Sequence, residues 1–316
     1  MRQDQLSVVL PTFARPELLR RTLEGLCNQR NLDGLAEVIV VSDGVDPKAA
    51  SIAQSFSDRL PIHFLDQPKQ SVSSARNRGI IFASAPILLF LDDDVVPSPD
   101  LIGEHVRYHR EKPQENSALL GYVTWHPDLH ASPFMRWYGE YGALFGYSLL
   151  KDDQEVDPLF FYTCNISLKR KFLLANGVFD EALTVLEDNE LGFRLAQQGL
   201  QLFFRRPALA YHYQTFTFRQ ACDRLGRYSS GLNAFLLTEA GQALAKKRRS
   251  LSFRSMEIAV RIGAPLLSPL ASVIDSDMKL PNSIYRLFYW YYGTYGSFWS
   301  RADRHLLLGQ DNSSIY

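Results

Sequence analysis

The sequence predicts an α/β fold in which helices flank a mostly parallel central sheet. Through the first 100 residues, short aliphatic or β-branched runs alternate with longer segments of helical period, which is the pattern of βαβ units. Acid-rich polar clusters follow several of the predicted strands. With 316 residues, 46% of them hydrophobic, the chain is long enough for one large domain or two ordinary domains around a buried core.

The first half of the chain follows this alternation closely. In order, the predicted elements are strand 6–10 ended by Pro11, a helix after Pro16, strand 37–41, a short helix around 52–56, strand 62–65, helix 72–84 and strand 87–91. The helix after Pro16 is predicted because its leucines recur at near-helical spacing. The last strand runs directly into Asp92-Asp93-Asp94.

The second half has a mixed pattern. Its predicted elements are helix 101–111, strand 119–125, strand 160–168, a helix from Glu187 to Gly199, strands 201–204 and 208–211, and mostly helix from Phe218 onward. Gly199 is expected to end its helix because glycine accepts the left-handed backbone conformation found after many helices.

Composition and the ends of the chain exclude several classes of protein. Lys+Arg and Asp+Glu both total 34, and this balance argues against a general nucleic-acid binder. The three cysteines lack metal-site spacing, which favours a reducing compartment. The N-terminus has no signal-peptide pattern, so we expect a cytoplasmic protein. Segment 258–274 contains Arg261 and two prolines and is too short to span a bilayer, although a surface-lying helix stays open.

The acidic cluster after strand 87–91 is the first candidate site. In an open parallel sheet, ligands bind beyond the carboxyl ends of the strands. In extended backbone Asp92 and Asp94 point to the same side and Asp93 points away, so the outer two can share a hard cation such as Mg²⁺ or Mn²⁺. The alternative is that these acids only cap the following helix. The glycine-rich fingerprints of dinucleotide-binding and P-loop folds are absent.

Two further signals lie later in the chain. Glu187 and Asp188 open a predicted helix, where the helix dipole favours an ionised carboxylate of the kind a general base needs. An ordinary acidic first turn is the alternative. His212 follows a strand and is either a metal ligand through a neutral ring nitrogen or a structural residue.

Six segments and one histidine are informative as an ordered set. They are LSVVLPTFARPELLRRTL (6–23), VIVVSDG (38–44), SVSSARNRGI (71–80), LLFLDDDVVP (88–97), FYTCNISLKRKFLLANGVFDEAL (161–183), LEDNELGFRLAQQG (186–199) and His212. The set resembles the inverting glycosyltransferases of family 2, which have the GT-A fold. The resemblance covers roughly residues 1–240 and is far more specific than any one of its segments.

The resemblance implies a nucleotide-sugar site. The residues expected to contact the donor are Pro11, Thr12, Arg15, Asp43, Arg76, Asp92 and Asp93. Asp43 matches the acidic residue that binds the nucleobase of the donor in this family. That nucleobase is commonly uracil, so a UDP-sugar is the expected donor. Ser42 stands where the family more often has an aspartate, which makes this segment one acid short. The planar guanidinium of Arg76 suits phosphate oxygens.

The resemblance also implies a metal site and a catalytic base. Asp94 would bind Mn²⁺ or Mg²⁺ directly, with Asp92 in the metal shell and His212 completing it. Asp188 would take the proton of the acceptor, and Glu187 would support the helix start or an acceptor hydroxyl. The residues expected to border the acceptor are Thr163, Cys164, Asn165 and Trp125. Trp125 and Trp137 are either stacking platforms or core residues.

We therefore expect a catalytic domain over 1–240 and a helical extension over 241–316. The expected partners are a nucleotide sugar and a glycan, lipid-linked or small-molecule acceptor, with no nucleic acid. The basic start and aromatic end of the extension suit contact with the inner face of a membrane or a homodimer, and a helical bundle on the catalytic domain is the alternative. A nucleotidyltransferase would normally have a glycine-rich loop, which LPTFARPE lacks. A third alternative is a catalytically degenerate protein that binds glycans or serves as a scaffold. The presence of Asp94, Asp188 and His212 argues against it.

Overall fold

The computed structural model describes residues 3–142, 144–248 and 273–295. It divides into two compact units. Unit 1 comprises Met1–Leu129 and Tyr147–Gln214, and unit 2 comprises His130–Gly146 and the described residues from Thr215 onward. The divisions therefore lie at 129, 146 and 214, whereas the sequence suggested one boundary near 240.

Unit 1 contains one large mixed sheet. Its strands are β1 (Leu6–Thr12), β2 (Leu35–Asp43), β3 (Ile62–Gln67), β4 (Ile87–Leu91), β5 (Val95–Pro97), β6 (Ser117–Trp125), β7 (Gln154–Glu155), β8 (Asn165–Lys169) and β9 (Gln201–His212). The strand order is β3-β2-β1-β4-β8-β6-β9-β5, with β7 beside β9. Pairing is parallel from β3 to β4 and between β6 and β9, and β8 is antiparallel to both of its neighbours.

Helices connect these strands, which confirms the predicted α/β class. In unit 1 they are α1 (Pro16–Cys27), α2 (Pro47–Ser55), α3 (Val72–Phe82), α4 (Leu101–Glu111), α6 (Arg170–Asn176) and α7 (Glu187–Gln197); in unit 2 they are α5 (Pro133–Glu140), α8 (Phe218–Leu237), α9 (Glu239–Arg248) and α10 (Asn282–Tyr295). Gly199 has a φ of +86° two residues after α7, as its predicted role requires.

The structure differs from three of the predicted strand boundaries. Strand β1 continues through Pro11 to Thr12, because its ladder with β4 ends at Val9 and the last residues pair only with β2, where a missing N–H is tolerated. The strand predicted over 160–168 starts only at Asn165, after a short 3-10 turn. The two strands predicted over 201–211 are one strand, because a bulge opposite Gly121 and Tyr122 absorbs the break.

Close packing of α3 on the sheet fixes one side of the later site. A β-carbon at Gly79 would come within 2.5 Å of Cγ1 of Val9, so only glycine lets the helix approach β1 this closely. The side chains of β1 and β4 are all buried, as expected for parallel strands covered on both faces.

A buried polar network joins α4 to β8. Nε2 of His105 lies 2.9 Å from Oδ1 of Asn165, and its Nδ1 lies 2.7 Å from Oγ of Ser167. Nε2 of His109 lies 2.8 Å from the same hydroxyl oxygen. Because Asn165 Oδ1 can only accept, Nε2 of His105 carries a proton. Burial lowers the pKa of His105 and of His109, which favours neutral rings, and in a neutral His105 ring Nδ1 accepts from the hydroxyl of Ser167.

Unit 2 is a helical unit with an aromatic interior. Phe134 stacks on Tyr138 at 5.7 Å and meets the edge of Phe218 at 5.4 Å. Trp137 is 3% exposed and packs on Tyr285, which makes it a core residue. Helix α8 begins with a capping box formed by Thr217 and Gln220.

Within the described ranges, no helix is long and apolar enough to cross a membrane. The sequence singled out segment 258–274, the basic run 246–249 and the aromatic segment 285–299. Residues 249–272 and 296–316 lie outside the described residues.

Candidate functional site

The candidate site lies at the carboxyl edge of the parallel strands. Strands β1, β2 and β4 run side by side in the same direction, so Thr12, Asp43 and the acids after Leu91 all emerge at this edge. The chain turns twice here in the left-handed region, at Ala14 (φ 54°) and at Leu186 (φ 59°). Strained backbone of this kind persists where surrounding contacts hold it, often beside functional residues.

Asp93 is an anchor inside the protein. Its side chain is fully buried, accepts a hydrogen bond from Thr12 at 2.7 Å and pairs with Nη2 of Arg15 at 2.5 Å. Burial raises the pKa of Asp93 to about 7, while the positive charge of Arg15 acts in the opposite direction. Asp93 and Thr12 were expected to contact the donor. Because both side chains are buried and Asp93 is paired internally, they fit a role in positioning Arg15.

Asp94 lies between a cation and an imidazole. Nη1 of Arg15 donates to its Oδ2 at 2.8 Å, and its Oδ1 lies 3.9 Å from Nε2 of His212. The register explains this meeting, since Val95 of β5 pairs directly with His212 of β9. The ring of Trp125 contacts His212 edge-on at 5.6 Å. The structure thus brings together two residues that the sequence proposed as metal ligands.

Arg76 joins the two acidic motifs. This buried guanidinium donates to Oδ1 of Asp92 at 3.0 Å and to Oε1 of Glu187 at 2.9 Å. Helix α3 holds it at the sheet edge, so a residue from the third βα unit bridges carboxylates 95 positions apart (187 − 92). The sequence did not predict this bridge.

Asp188 stands at the start of α7 beside Glu187. Burial is the largest cause that raises the pKa of Asp188, to about 7, and the charge of Glu187 adds to it; Arg76 and the backbone N–H of Asn189 act in the opposite direction. No side chain caps the helix, whose N-cap is Leu186. A carboxyl group that exchanges its proton near neutral pH is suited to general base chemistry.

A second group of polar and aromatic side chains surrounds Asp43. Its Oδ1 accepts hydrogen bonds from Nε2 of Gln67 at 3.0 Å and from the backbone N–H of Gln70 at 2.8 Å. Its Oδ2 lies 3.9 Å from Nζ of Lys69, which sits 3.3 Å from the ring centre of Phe13. Gln67, Lys69 and Phe13 were not predicted. Their common signal is position, since each stands at or just beyond the end of β1 or β3.

The predicted acceptor residues differ in their surroundings. Asn165 is fully buried and bonds inside the protein to His105, Tyr122 and Ala208, so its side chain does not fit an acceptor contact. Thr163 and Cys164 are buried. Burial and the charges of Asp92, Asp188 and Asp94 raise the pKa of Cys164, which places the thiol among the acids. Trp125 is half-buried beside His212.

The residues present fit a divalent cation in part. Arg15 holds Oδ2 of Asp94, which leaves Oδ1 directed at His212, and a carboxylate oxygen with an imidazole nitrogen is a donor set that suits Mn²⁺. Among the described residues, no group of three or more His, Cys, Asp or Glu side chains converges as a complete metal site. A cation held here would take its other ligands from substrate or water.

Solved structures define the class of fold. The mannosyltransferase PcManGT from Pyrobaculum calidifontis, in complex with GDP-Man and Mn²⁺, has a TM-score of 0.60 at 14% identity and covers 92% of this chain and 87% of its own. TarS from S. aureus has a TM-score of 0.54 at 15% identity and covers 93% of this chain and 53% of its own. The fold is the GT-A glycosyltransferase fold, as the sequence predicted.

Sequence relatives define the family. Glycosyl transferase family 2 matches residues 7–173, more than half of the chain, and the chain belongs to this family. Validoxylamine A glucosyltransferase from Streptomyces hygroscopicus subsp. limoneus is 34% identical over 227 residues, covering 64% of this chain and 50% of the relative. Chondroitin synthase from Escherichia coli is 28% identical over 247 residues, covering 66% and 34%. The chain spans about half the length of the first of these relatives.

Proposed function

We propose that this family 2 glycosyltransferase moves a sugar from a nucleoside diphosphate sugar, expected to be UDP-linked, to a hydroxyl group of an acceptor with inversion at the anomeric carbon. The bridge made by Arg76 carries the proposal, because it holds Asp92, on the donor side, and Glu187, beside the proposed base, on one guanidinium. The names of the relatives support sugar transfer to glycans or small molecules, and the proposed acceptor is a glycan, a lipid-linked compound or a small molecule.

In the proposed donor site, Asp43 binds the nucleobase of the donor, and Arg15 and Arg76 face its diphosphate. Both guanidiniums are already fixed by carboxylates, so they present their charge without reorganisation. Asp94 and His212, with Asp92 nearby, would hold Mn²⁺ or Mg²⁺. When bound, such a cation neutralises the charge that develops on the leaving diphosphate.

Asp188 is the proposed base. In a single displacement, the acceptor oxygen forms a bond to the anomeric carbon while the bond from that carbon to the diphosphate oxygen breaks. The acceptor proton passes to the carboxylate of Asp188, and the electron pair leaves with the diphosphate. Glu187 positions the helix start through Arg76. Trp125 and the segment at Thr163 and Cys164 border the proposed acceptor side.

The domain proposal follows from the same residues. The donor and base residues named above all lie in unit 1, within the 1–240 range expected to be catalytic. We propose that the residues beyond 240 form a helical extension that either packs as a helical bundle or contacts a membrane or a second copy, and the packing of Tyr285 on Phe134 and Trp137 supports the bundle.

Donor hydrolysis tests the proposal without knowledge of the acceptor. UDP-α-glucose and GDP-α-mannose are incubated with the protein and Mn²⁺, and the released sugar is followed by NMR. Inversion with water as acceptor gives the β-anomer first from either donor. Asp188→Asn is expected to stop release, whereas Asp180→Asn, at an exposed acid, retains it. Initial release of the α-anomer, or full activity of Asp188→Asn, would contradict the mechanism.

A further inference from the structure

The contacts of Asp43 leave only one of its carboxylate oxygens available to a ligand. Oδ1 already accepts two hydrogen bonds, from Nε2 of Gln67 and the N–H of Gln70, and a carboxylate oxygen has about two lone-pair sites. No residue that the structure describes donates a hydrogen bond to Oδ2. The hydroxyl of neighbouring Ser42 donates to the carbonyl of Gly44 at 2.8 Å and is therefore engaged.

An exposed aromatic ring stands beside this oxygen. The side chain of Phe13 is 39% exposed and lies against Gly44, where a β-carbon would come within 2.5 Å of its Cε2. Gly44 also has a φ of +142°, so glycine is required there on two grounds. The ring offers a flat surface next to Asp43 of the kind on which nucleobases stack.

Lys69 covers that surface. Its ammonium lies 3.3 Å from the ring centre of Phe13 and 3.9 Å from Oδ2 of Asp43, and its side chain is 60% exposed. Stacking of a base on an aromatic ring is generally stronger than an exposed cation–π contact. A base is therefore able to displace the ammonium from the ring, and the nearby carboxylate keeps the displaced ammonium close.

We propose that Lys69 and Oδ2 of Asp43 together read the nucleobase and select uracil over guanine. This inference rests on the proposed function. Uracil presents one ring N–H flanked by two carbonyl oxygens, which matches one free acceptor oxygen beside one ammonium donor. Guanine presents two adjacent N–H donors, which need both oxygens of a carboxylate, and Gln67 and Gln70 already occupy Oδ1.

Binding of three probes tests this inference. UDP, GDP and inorganic pyrophosphate are titrated calorimetrically against the full chain at a fixed Mn²⁺ concentration. The wild-type protein is expected to bind UDP at least about tenfold more tightly than GDP, the size of one well-made hydrogen bond to a charged group. Lys69→Met is expected to lower the affinity for UDP about tenfold and to change the affinity for pyrophosphate by less than about twofold. Lys69→Gln provides a second variant, and thermal melting confirms that each protein is folded.

Two further variants make the outcome specific. Lys171→Met removes an equal charge from an exposed position of α6 and is expected to change none of the affinities. Gln67→Met frees one lone pair of Oδ1, so the preference for UDP over GDP is expected to fall.

Three results would overturn the inference. Equal affinity of the wild-type protein for UDP and GDP would show that the pocket does not choose between bases. A loss of pyrophosphate binding in Lys69→Met as large as the loss of UDP binding would assign Lys69 to the phosphates. Absence of binding of all three probes by folded wild-type protein would overturn the proposed function itself, and the base-reading role with it.

Discussion

Oδ1 of Asp94 lies 3.9 Å from Nε2 of His212, although 118 positions (212 − 94) separate them in the chain. The short strand β5 follows Asp94 immediately and pairs antiparallel with the end of β9, so that Val95 is opposite His212. The backbone N–H of Tyr213 also donates to the carbonyl of Asp94 at 2.7 Å. Sheet register, and not a flexible loop, therefore places the imidazole beside the carboxylate.

His212→Gln is expected to weaken Mn²⁺ binding at least about tenfold, because an imidazole nitrogen is replaced by a weaker amide ligand. The measurement is free Mn²⁺ by electron paramagnetic resonance, in titrations with and without UDP. His130→Gln serves as the control, since His130 is highly exposed and belongs to unit 2. Unchanged Mn²⁺ affinity in His212→Gln would remove this residue from the proposed metal site.

The strands and the acids were predictable because their signals are local. The strand over 87–91 was predicted with its observed bounds, and so was helix 101–111. Parallel strands then place their carboxyl ends together, so Asp43 and Asp94 fall at one edge without further information.

Contacts that depend on register or on side-chain direction were not predictable. The sequence placed Arg76 near base and phosphates, but its bridge to Glu187 depends on how α7 packs against α3. The resemblance to family 2 predicted Asn165 as an acceptor residue because the segment before Glu187-Asp188 borders the acceptor in that family. Its side chain instead turns into the sheet, where His105 and two backbone carbonyls bind it. One-residue alternation along a strand decides this outcome.

Arg76→Met is expected to destabilise the protein by about 3 kcal/mol, because it leaves the partly buried carboxylates of Asp92 and Glu187 without their cation. This value is at the lower end for such changes, since both carboxylates keep some contact with solvent. Urea unfolding monitored by circular dichroism gives the free energy of unfolding.

Arg78→Met is the matched control for Arg76. It lies on the same helix but is exposed, and a change within about 0.5 kcal/mol is expected there. An equal loss of stability in the two variants would show that the bridge contributes nothing beyond the helix propensity and solubility of an arginine.

The rate of donor hydrolysis is expected to rise with pH and to level off above about 7, because Asp188 must be ionised to accept a proton and its pKa is raised to about 7. Glu187→Gln removes a negative charge beside Asp188, so the pKa of Asp188 falls and the rising limb of the pH–rate profile is expected to move to lower pH. The amide oxygen of Gln can still accept the hydrogen bond from Arg76. The measurement is kcat/KM between pH 5 and 9, at fixed Mn²⁺. A limb that stays in place, or moves to higher pH, would contradict the assignment of the limb to Asp188.

The free energy of unfolding is expected to depend on His105 below neutral pH. Burial lowers the pKa of His105 from 6.5 to about 4, and burial also lowers that of His109. In the unfolded chain these rings take up protons near pH 6.5, so the stability that neutral His105 provides is complete above that pH and is lost as the pH falls towards 4. The part due to His105 amounts to about 3 kcal/mol.

The test compares how the free energy of unfolding changes with pH in different variants. A comparison is needed because buried acids change this free energy in the opposite direction to the histidines as the pH falls. Asp93 and Asp188 have raised pKa values in the folded protein, so they bind protons more readily there and favour folding as the pH falls below 7. Urea unfolding at pH 7.5, 6 and 5 should show a smaller loss of stability on acidification in His105→Gln than in the wild-type protein. His130→Gln, at an exposed position, should follow the wild-type profile. A His105→Gln profile parallel to that of the wild-type protein would mean that the ring is not held neutral in the folded chain.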